Sequence, residues 1–199
     1  MTAIIDYGVG NLFSLAGSLK KIGEEALITA DIEEIEKCDR IILPGVGAFG
    51  DAIEKLRATG LIPYLKQTNK KMLGICLGMQ LLFDKSYEYG CHEGLGLISG
   101  EVSFLGDDVS GLKIPHMGWN ALKFKKSSPL YKYVKEGDYV YFVHSFYAKN
   151  CDGFITATAD YGVPVTASVE NGRVFGTQFH PEKSGAVGLK ILKAFCEME

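Results

Sequence analysis

A cysteine between two glycines is the strongest chemical signal in the sequence. Cys76 lies in the pentapeptide GICLG, directly after residues 71–75, a run typical of a buried strand. A nucleophile on a sharp strand-to-helix turn needs small neighbours, because the backbone there approaches itself closely. The amides that open the following helix favour a thiolate and can bind an oxyanion, with Leu77 N–H as the first donor. The pattern predicts a nucleophilic cysteine; a buried structural cysteine beside packing glycines is the alternative.

A histidine and a glutamate stand two residues apart near the end of the sequence, as His180 and Glu182. Side chains two apart in an extended segment face the same side, so Glu182 can orient the imidazole and fix its tautomer. An ordinary histidine at the end of a strand is the alternative. Together with Cys76, and with no metal-ligand spacing around these residues, the pattern favours a Cys-His-Glu triad that needs no metal.

Two further segments could complete such a site. The turn of residues 44–47, PGVG, follows a predicted strand, and Val46 N–H can supply a second oxyanion donor. A plain turn is the alternative. Residues 141–146 form a β run whose polar end, His144 and Ser145, can bind the amino and carboxylate groups of an amino acid. A core strand explains the apolar members of this run equally well.

The bulk composition limits the classes of function. With 199 residues, 47% of them hydrophobic, the chain can bury one substantial core, and we expect a single domain over residues 1–199. A formal net charge of −3 leaves no broad basic surface for wrapping nucleic acid, so no polynucleotide partner is expected. We also expect no membrane association and no signal peptide, since apolar runs are short.

The cysteines point to a reducing compartment. There are five, an odd number without paired spacing, which is typical of a cytoplasmic protein with free thiols. Cys91 and His92 lack the second ligand pair that a zinc site needs. We therefore expect a cytoplasmic protein without a metal or another cofactor.

The order of predicted elements indicates an α/β fold. The first two-thirds alternates β-rich runs with helical patterns, typical of βαβ units around a mostly parallel sheet. Strands are predicted at residues 1–5, 41–43 and 71–75, and helices at residues 12–22, 51–58 and 79–83. Later β-rich segments predict a second, antiparallel layer: residues 100–105, 119–124, 139–147, 153–159, 165–170 and 174–179. With a final helix over residues 186–195, the predicted fold is a single α/β domain with a mostly parallel central sheet, flanking helices and a second antiparallel β layer.

Three motifs in this order resemble the class I, triad-type glutamine amidotransferases: the GICLG cysteine, Gln80 one helical turn later, and the late His-Pro-Glu. Within that family, four segments are similar to the glutaminase subunits of imidazole glycerol phosphate synthase: residues 5–12, residues 44–49, residues 115–120 and residues 178–185. Met79 and Val46 also fit this group. Phe146 departs from it, since tyrosine is expected after His-Ser. The likeness spans nearly the whole chain.

The resemblance implies a reaction and a partner. The Cys76 thiolate would attack the side-chain amide of glutamine, and His180 would protonate the departing ammonia and then activate the hydrolytic water. The ammonia would pass through a channel to a (β/α)8 cyclase subunit in a heterodimer, whose lyase activity serves histidine biosynthesis. The residues implied to bind glutamine are Gly47, Gln80, His144, Ser145 and Phe146. Those implied to face the cyclase are Asn11, Trp119, Asn120 and Lys183.

Val46 supports a hypothesis about regulation. If its N–H must rotate inward to complete the oxyanion hole, the isolated chain hydrolyses glutamine poorly until the cyclase and its ligand bind. Other functions stay open: a glutaminase serving an aminodeoxychorismate or guanylate synthase, a peptidase-like relative, or a catalytically silent binding subunit. The segments PHMGWN and DYGVGNL argue against the first two, and the complete Cys-His-Glu set argues against the last.

Overall fold

The computed structural model describes residues 1–198, which fold as helices packed on both faces of a large sheet. The six α-helices within these residues are α1 Leu12–Lys21, α2 Ile32–Glu36, α3 Phe49–Ala58, α4 Ile62–Gln67, α5 Leu77–Gln80 and α6 Gly185–Cys196. The fourteen strands in the same range are β1 Thr2–Ile5, β2 Ala26–Thr29, β3 Arg40–Leu43, β4 Lys71–Ile75, β5 Phe83–Ser86, β6 His92–Glu93, β7 Ile98–Phe104, β8 His116–Ala121, β9 Lys123–Phe124, β10 Tyr139–His144, β11 Phe146–Lys149, β12 Ile155–Asp160, β13 Pro164–Asn171 and β14 Val174–Thr177.

The central sheet has eight strands in the order β2-β1-β3-β4-β14-β13-β12-β9. The first five strands run parallel, and the last three continue the sheet in antiparallel pairing. A four-stranded sheet, β11-β7-β5-β6, and a two-stranded antiparallel sheet, β10-β8, lie outside it. The fold therefore combines a mostly parallel sheet with smaller, largely antiparallel ones.

The core lies on both faces of the central sheet, because successive strand residues point to opposite sides. In β1, Ile5 belongs to a buried cluster with helix α3, whereas Ile4 belongs to a second cluster with helices α1 and α6. The first of these clusters also includes Phe83 and Val102 of the four-stranded sheet, so this sheet packs against the same core. This double coverage holds the ends of the parallel strands in fixed positions.

Helix α1 shows how local sequence fixes an element. The Asn11 side chain accepts a hydrogen bond from Ser14 N at 3.3 Å, which caps the helix. Leu15 and Leu19, four residues apart, are buried on one face. Gly23 follows the helix with φ 81°, a conformation that glycine adopts without steric cost.

The predicted fold class is confirmed, but the placement of some segments differs. The three segments predicted at residues 153–159, 165–170 and 174–179 do not form a separate layer, because β12, β13 and β14 extend the central sheet. The helix predicted over residues 79–83 is also wrong at its end. Helix α5 stops at Gln80, and Phe83 instead begins β5, where it pairs in parallel with Ile98 and is fully buried. Tertiary burial outweighs local helical spacing here.

None of the helices among residues 1–198 combines the length and the apolar character needed to span a bilayer.

Candidate active site

Three parallel strands end at one edge of the central sheet and surround a cavity of about 310 Å³. Strand β3 leads into the PGVG turn, β4 leads into Cys76, and β14 leads towards His180. Ligands of open α/β sheets bind at this carboxyl edge, because the loops that follow adjacent strands meet there. The cavity is lined by Cys76 and His180 and by the residues predicted for the oxyanion hole and for substrate: Val46, Gly47, Leu77, Gln80, His144, Ser145 and Phe146.

Cys76 occupies a strained backbone position between β4 and α5. Its φ of 53° and ψ of −111° lie in a region that residues with side chains rarely adopt. Its N–H donates to the carbonyl of Thr177 on β14 at 2.7 Å. A Cβ on Gly74 would lie 2.6 Å from the carbonyl oxygen of Gly78, and a Cβ on Gly78 would lie 1.9 Å from that of Leu43. Close backbone contact therefore requires both glycines, as the sequence pattern predicts.

His180 and Glu182 form a buried pair at the other side of the cavity. The Nδ1 atom of His180 lies 2.8 Å from Oε1 of Glu182, and the two side chains are only 2% and 6% exposed. The extended arrangement predicted for this pair is wrong. Pro181–Lys183 form a 3₁₀ turn, and this turn places the carboxylate beside the imidazole. Ser184 Oγ completes the loop by donating to the carbonyl of His180 at 2.6 Å.

The imidazole of His180 is held in its charged form. Burial alone lowers its pKa, but the interactions of the ring with Cys76 and with the Glu182 carboxylate outweigh burial and raise the pKa to about 9. Nε2 makes no hydrogen bond within residues 1–198. Since Glu182 occupies Nδ1, Nε2 is the nitrogen left for proton transfer.

We expect the substitution Glu182→Gln to lower the pKa of His180 by about one unit, because it removes an anion that stabilises the imidazolium. The wild-type chain should titrate near pH 9 at this histidine. Nuclear magnetic resonance of the ring nitrogens measures both midpoints, and the signal is assigned by its loss in His180→Asn. The chain has only four histidines, so the spectra are simple. An unchanged midpoint in Glu182→Gln would contradict the assigned cause.

The PGVG turn is held in place by contacts with two other segments, and these contacts were not predicted from the sequence. The buried hydroxyl of Tyr7 donates to the carbonyl of Pro44 at 2.5 Å. A Cβ on Gly45 would lie 2.6 Å from the amide nitrogen of Gly78, so the turn rests directly on the start of α5. The segment DYGVGNL thus supports the turn beside Cys76.

The amides of Leu77 and Val46, two residues that line the cavity, have no hydrogen-bond partner within residues 1–198, and the same holds for the amide of Gly47. Leu77 N–H is free because the first amides of a helix lack an intrahelical partner. Val46 is 43% exposed and lines the cavity, and Gly47 follows it with φ 100°. Glycine at this position gives the turn the freedom to reorient its amides.

The predicted substrate residues form the far wall of the cavity. Gln80 Nε2 donates to the carbonyl of Phe146 at 3.0 Å, and His144 Nδ1 lies 2.9 Å from the same oxygen. His144 Nε2 lies 2.9 Å from His116 Nδ1, so both ring nitrogens of His144 are used inside the protein. Burial, followed by the charge on His116, lowers the pKa of His144 to about 3, and this ring is neutral. Ser145 separates β10 from β11 and lines the cavity with its neighbours.

Glu88 also lines the cavity, and sequence reasoning missed it. Its Oε2 accepts the Phe49 N–H at the start of α3, at 2.6 Å. Burial raises the pKa of Glu88, although the hydrogen bond from Phe49 opposes this. Glu88 follows β5 in a stretch without a recognisable motif, so only the fold brings this carboxylate to the site.

Two of the four residues predicted to face a partner line cavities of the site. Lys183 lines the main cavity, and Asn11 lines a small adjoining one with His180 and Glu182. Trp119 is half exposed and packs edge-on against Tyr141 at 6.0 Å between ring centroids. The fourth residue, Asn120, donates to the carbonyl of Asp160 at 2.6 Å.

Comparison with known proteins identifies the class to which this fold and site belong. Similar solved structures include a glutamine amidotransferase, with TM-score 0.75 and 18% identity over 98% of this chain and 97% of that one. PurLQS from Thermotoga maritima aligns with TM-score 0.73 and 19% identity over 98% and 96% of the chains. At such identities the likeness concerns the fold. The family model for class-I glutamine amidotransferases matches residues 3–198, and the chain belongs to this family.

More similar relatives narrow the assignment. The chain is 52% identical to imidazole glycerol phosphate synthase subunit HisH of Caldanaerobacter subterraneus subsp. tengcongensis, over 100% of this chain and 98% of the relative. It is 50% identical to HisH of Bacillus cereus, over 98% and 93%, and 47% identical to HisH 1 of Campylobacter jejuni, over 100% of both. Within the class-I amidotransferases, the chain belongs to the HisH family.

Proposed function

We propose that the chain is the glutaminase subunit of imidazole glycerol phosphate synthase, releasing ammonia from glutamine for a cyclase subunit. The observation that carries this proposal is Cys76 on a strained elbow, in one cavity with the His180–Glu182 pair. The 52% identity to a HisH subunit supports the choice of reaction and pathway.

The chemistry divides between the sulfur and the imidazole. The Cys76 thiolate attacks the δ-carbonyl carbon of glutamine, and a C–S bond forms while the carbonyl electrons move to oxygen. Collapse of this intermediate breaks the C–N bond, and the imidazolium of His180 gives its proton to the leaving ammonia. The neutral imidazole then takes a proton from water, which attacks the thioester and releases glutamate. A pKa of His180 of about 9 keeps the imidazolium available at neutral pH.

The oxyanion of both intermediates is bound by backbone amides. Leu77 N–H and Val46 N–H carry no hydrogen bond within residues 1–198 and border the cavity beside Cys76. Two such donors act strongly in a site shielded from water. Gly47 allows the second donor to turn towards the substrate.

The amino acid itself is bound at the far wall. Glu88 is the carboxylate of the cavity, and we assign it the α-ammonium group of glutamine. Gln80, Ser145 and the backbone of Phe146 take the remaining polar contacts of the substrate. His144 supports this wall through its hydrogen bond to the Phe146 carbonyl rather than through a free ring nitrogen.

The partner in this proposal is a (β/α)8 cyclase subunit, which docks at the mouth of the site and receives ammonia directly. Asn11, Trp119, Asn120 and Lys183 contribute to that interface, and this is supported for Lys183 and Asn11 by their positions in the walls of the two cavities. The exposed ring of Trp119 is a typical interface anchor. The proposal takes residues 1–199 as one amidotransferase domain in the cytoplasm, supported by five free thiols, without nucleic-acid or membrane partners.

Reconstitution with a HisH-dependent cyclase tests the proposal. With glutamine and the substrate of the cyclase, the complex should form imidazole glycerol phosphate and equimolar glutamate, whereas each subunit alone should form no product from glutamine. Free ammonium salt with the cyclase alone is the positive control. A glutaminase that serves another synthase would give glutamate without product, and this outcome would assign the chain to a different pathway.

A further inference from the structure

Gln178 is a fully buried amide that the mechanism above leaves without a role. It lies one residue beyond β14, just as Cys76 lies one residue beyond β4. The two strands run parallel, with Thr177 opposite Ile75. This register brings Gln178 and Cys76 side by side, although they are far apart in sequence. The Nε2 atom of Gln178 lies 3.7 Å from the Cys76 sulfur.

The orientation of this amide follows from its neighbours. The carbonyl of Phe146 can only accept, so Gln80 must present its NH2 group there, at 3.0 Å. That same nitrogen lies 3.0 Å from the other end of Gln178, which must therefore be Oε1, an acceptor. The NH2 group of Gln178 is left to face the sulfur. A buried amide turned the other way would set two donors against each other.

We propose that Gln178 is a positioning residue that donates an N–H to the Cys76 thiolate and is itself held by Gln80. The inference rests on the proposed function, because it takes Cys76 as the nucleophile. Helix α5 has only four residues, so few aligned peptide dipoles are available to stabilise a thiolate. A fixed side-chain donor provides part of that stabilisation and holds the sulfur in one rotamer. Gln80 and Phe146 also line the cavity, so this chain of hydrogen bonds connects the wall that binds the substrate to the nucleophile.

Two variants separate the donor from the acceptor of this amide. Gln178→Met keeps the approximate volume but removes both functions. Gln178→Glu keeps an oxygen for Gln80 and replaces the donor with an oxygen facing the sulfur. Thr166→Val is the matched control, since it removes another buried hydrogen bond, to the carbonyl of Ala148 at 2.8 Å, and Thr166 does not line the cavity.

The measurement is the rate at which iodoacetamide alkylates Cys76 at pH 7 in the full chain, followed by mass spectrometry. Exposed Cys91 in the same molecule serves as the internal reference. We expect the ratio of Cys76 to Cys91 alkylation to fall about tenfold in both Gln178 variants and to stay unchanged in Thr166→Val. In the cyclase complex, Gln178→Glu should lower kcat while leaving KM for glutamine near the wild-type value; Gln178→Met should also raise KM, because Gln80 loses its anchor.

The outcomes distinguish this inference from the proposed function. An unchanged alkylation ratio in Gln178→Glu, with an active wild-type complex, would overturn the positioning role and leave the glutaminase assignment intact. An inactive wild-type complex would instead count against the proposed function. If Gln178→Met does not fold, Gln178→Glu still gives the decisive ratio. If the alkylation ratio falls equally in Thr166→Val, the loss of any buried hydrogen bond in this sheet lowers the reactivity of Cys76. This outcome would also overturn the inference.

Discussion

Replacing Cys76 with alanine should lower glutamine hydrolysis by at least about four orders of magnitude, because the covalent route needs the sulfur. The same variant in the cyclase complex should still make product from free ammonium salt at close to the wild-type rate. The side chain is almost fully buried and its replacement is small, so the fold and the docking surface stay unchanged. Glutamate release and product formation, measured in parallel, report the two activities.

The matched control for this prediction is Cys91→Ala, which removes an exposed thiol and should leave both activities unchanged. A glutamine-like electrophile should label the wild-type chain and Cys91→Ala once, and Cys76→Ala not at all. Glutaminase activity of Cys76→Ala within tenfold of wild type would reject a thioester mechanism. Loss of cyclase binding by Cys76→Ala, measured by titration, would instead indicate a structural role for Cys76, as in a catalytically silent binding subunit.

The parts of the site that were predictable are those set by short-range sterics. Gly74 and Gly78 flank Cys76 because the backbone of the elbow admits no Cβ, and this requirement is visible in five consecutive residues. The closeness of His180 and Glu182 was also predictable from their spacing. Its geometry was not, because the proline starts a 3₁₀ turn instead of continuing the strand.

The parts that could not be predicted depend on pairing between distant segments. Only the parallel register of β4 and β14 places Cys76 beside Gln178. Glu88 reaches the cavity from a loop whose position is set by β5 pairing with β7 and by the N–H of Phe49. Short sequence patterns do not predict these contacts, because the register of paired strands depends on which side chains the whole sheet buries.

The ends of helices and strands also could not be predicted from local sequence. Residues at helical spacing after Cys76 predict a longer helix than α5, but the chain leaves the helix so that Phe83 can be buried in a strand. The short helix has a functional consequence. With few aligned peptide groups behind Leu77, the site relies more on individual donors, including the amide of Val46.

Removing the N–H of Val46 should abolish most of the stimulation of glutamine hydrolysis by the cyclase. We expect the wild-type chain to be stimulated by about two to three orders of magnitude, the usual effect of an oxyanion donor, when the cyclase and its ligand bind. Val46→Pro lacks that donor and should show little stimulation. Val46 is 43% exposed and is not among the residues with positive φ, so proline meets neither a buried position nor a left-handed backbone there.

Val46→Ala is the control for Val46→Pro, because it shortens the side chain but keeps the N–H, and it should be stimulated like the wild type. Glutamate release by the lone chain, by the complex and by the complex with ligand gives the stimulation for each variant. Cyclase affinity, measured by titration, must stay similar across the three chains for the comparison to report the amide. Equal rates of glutamine hydrolysis for the wild-type lone chain and the complex would contradict activation by the cyclase. Full stimulation of Val46→Pro would assign the second oxyanion donor to another amide, with that of the adjacent Gly47 as the next candidate.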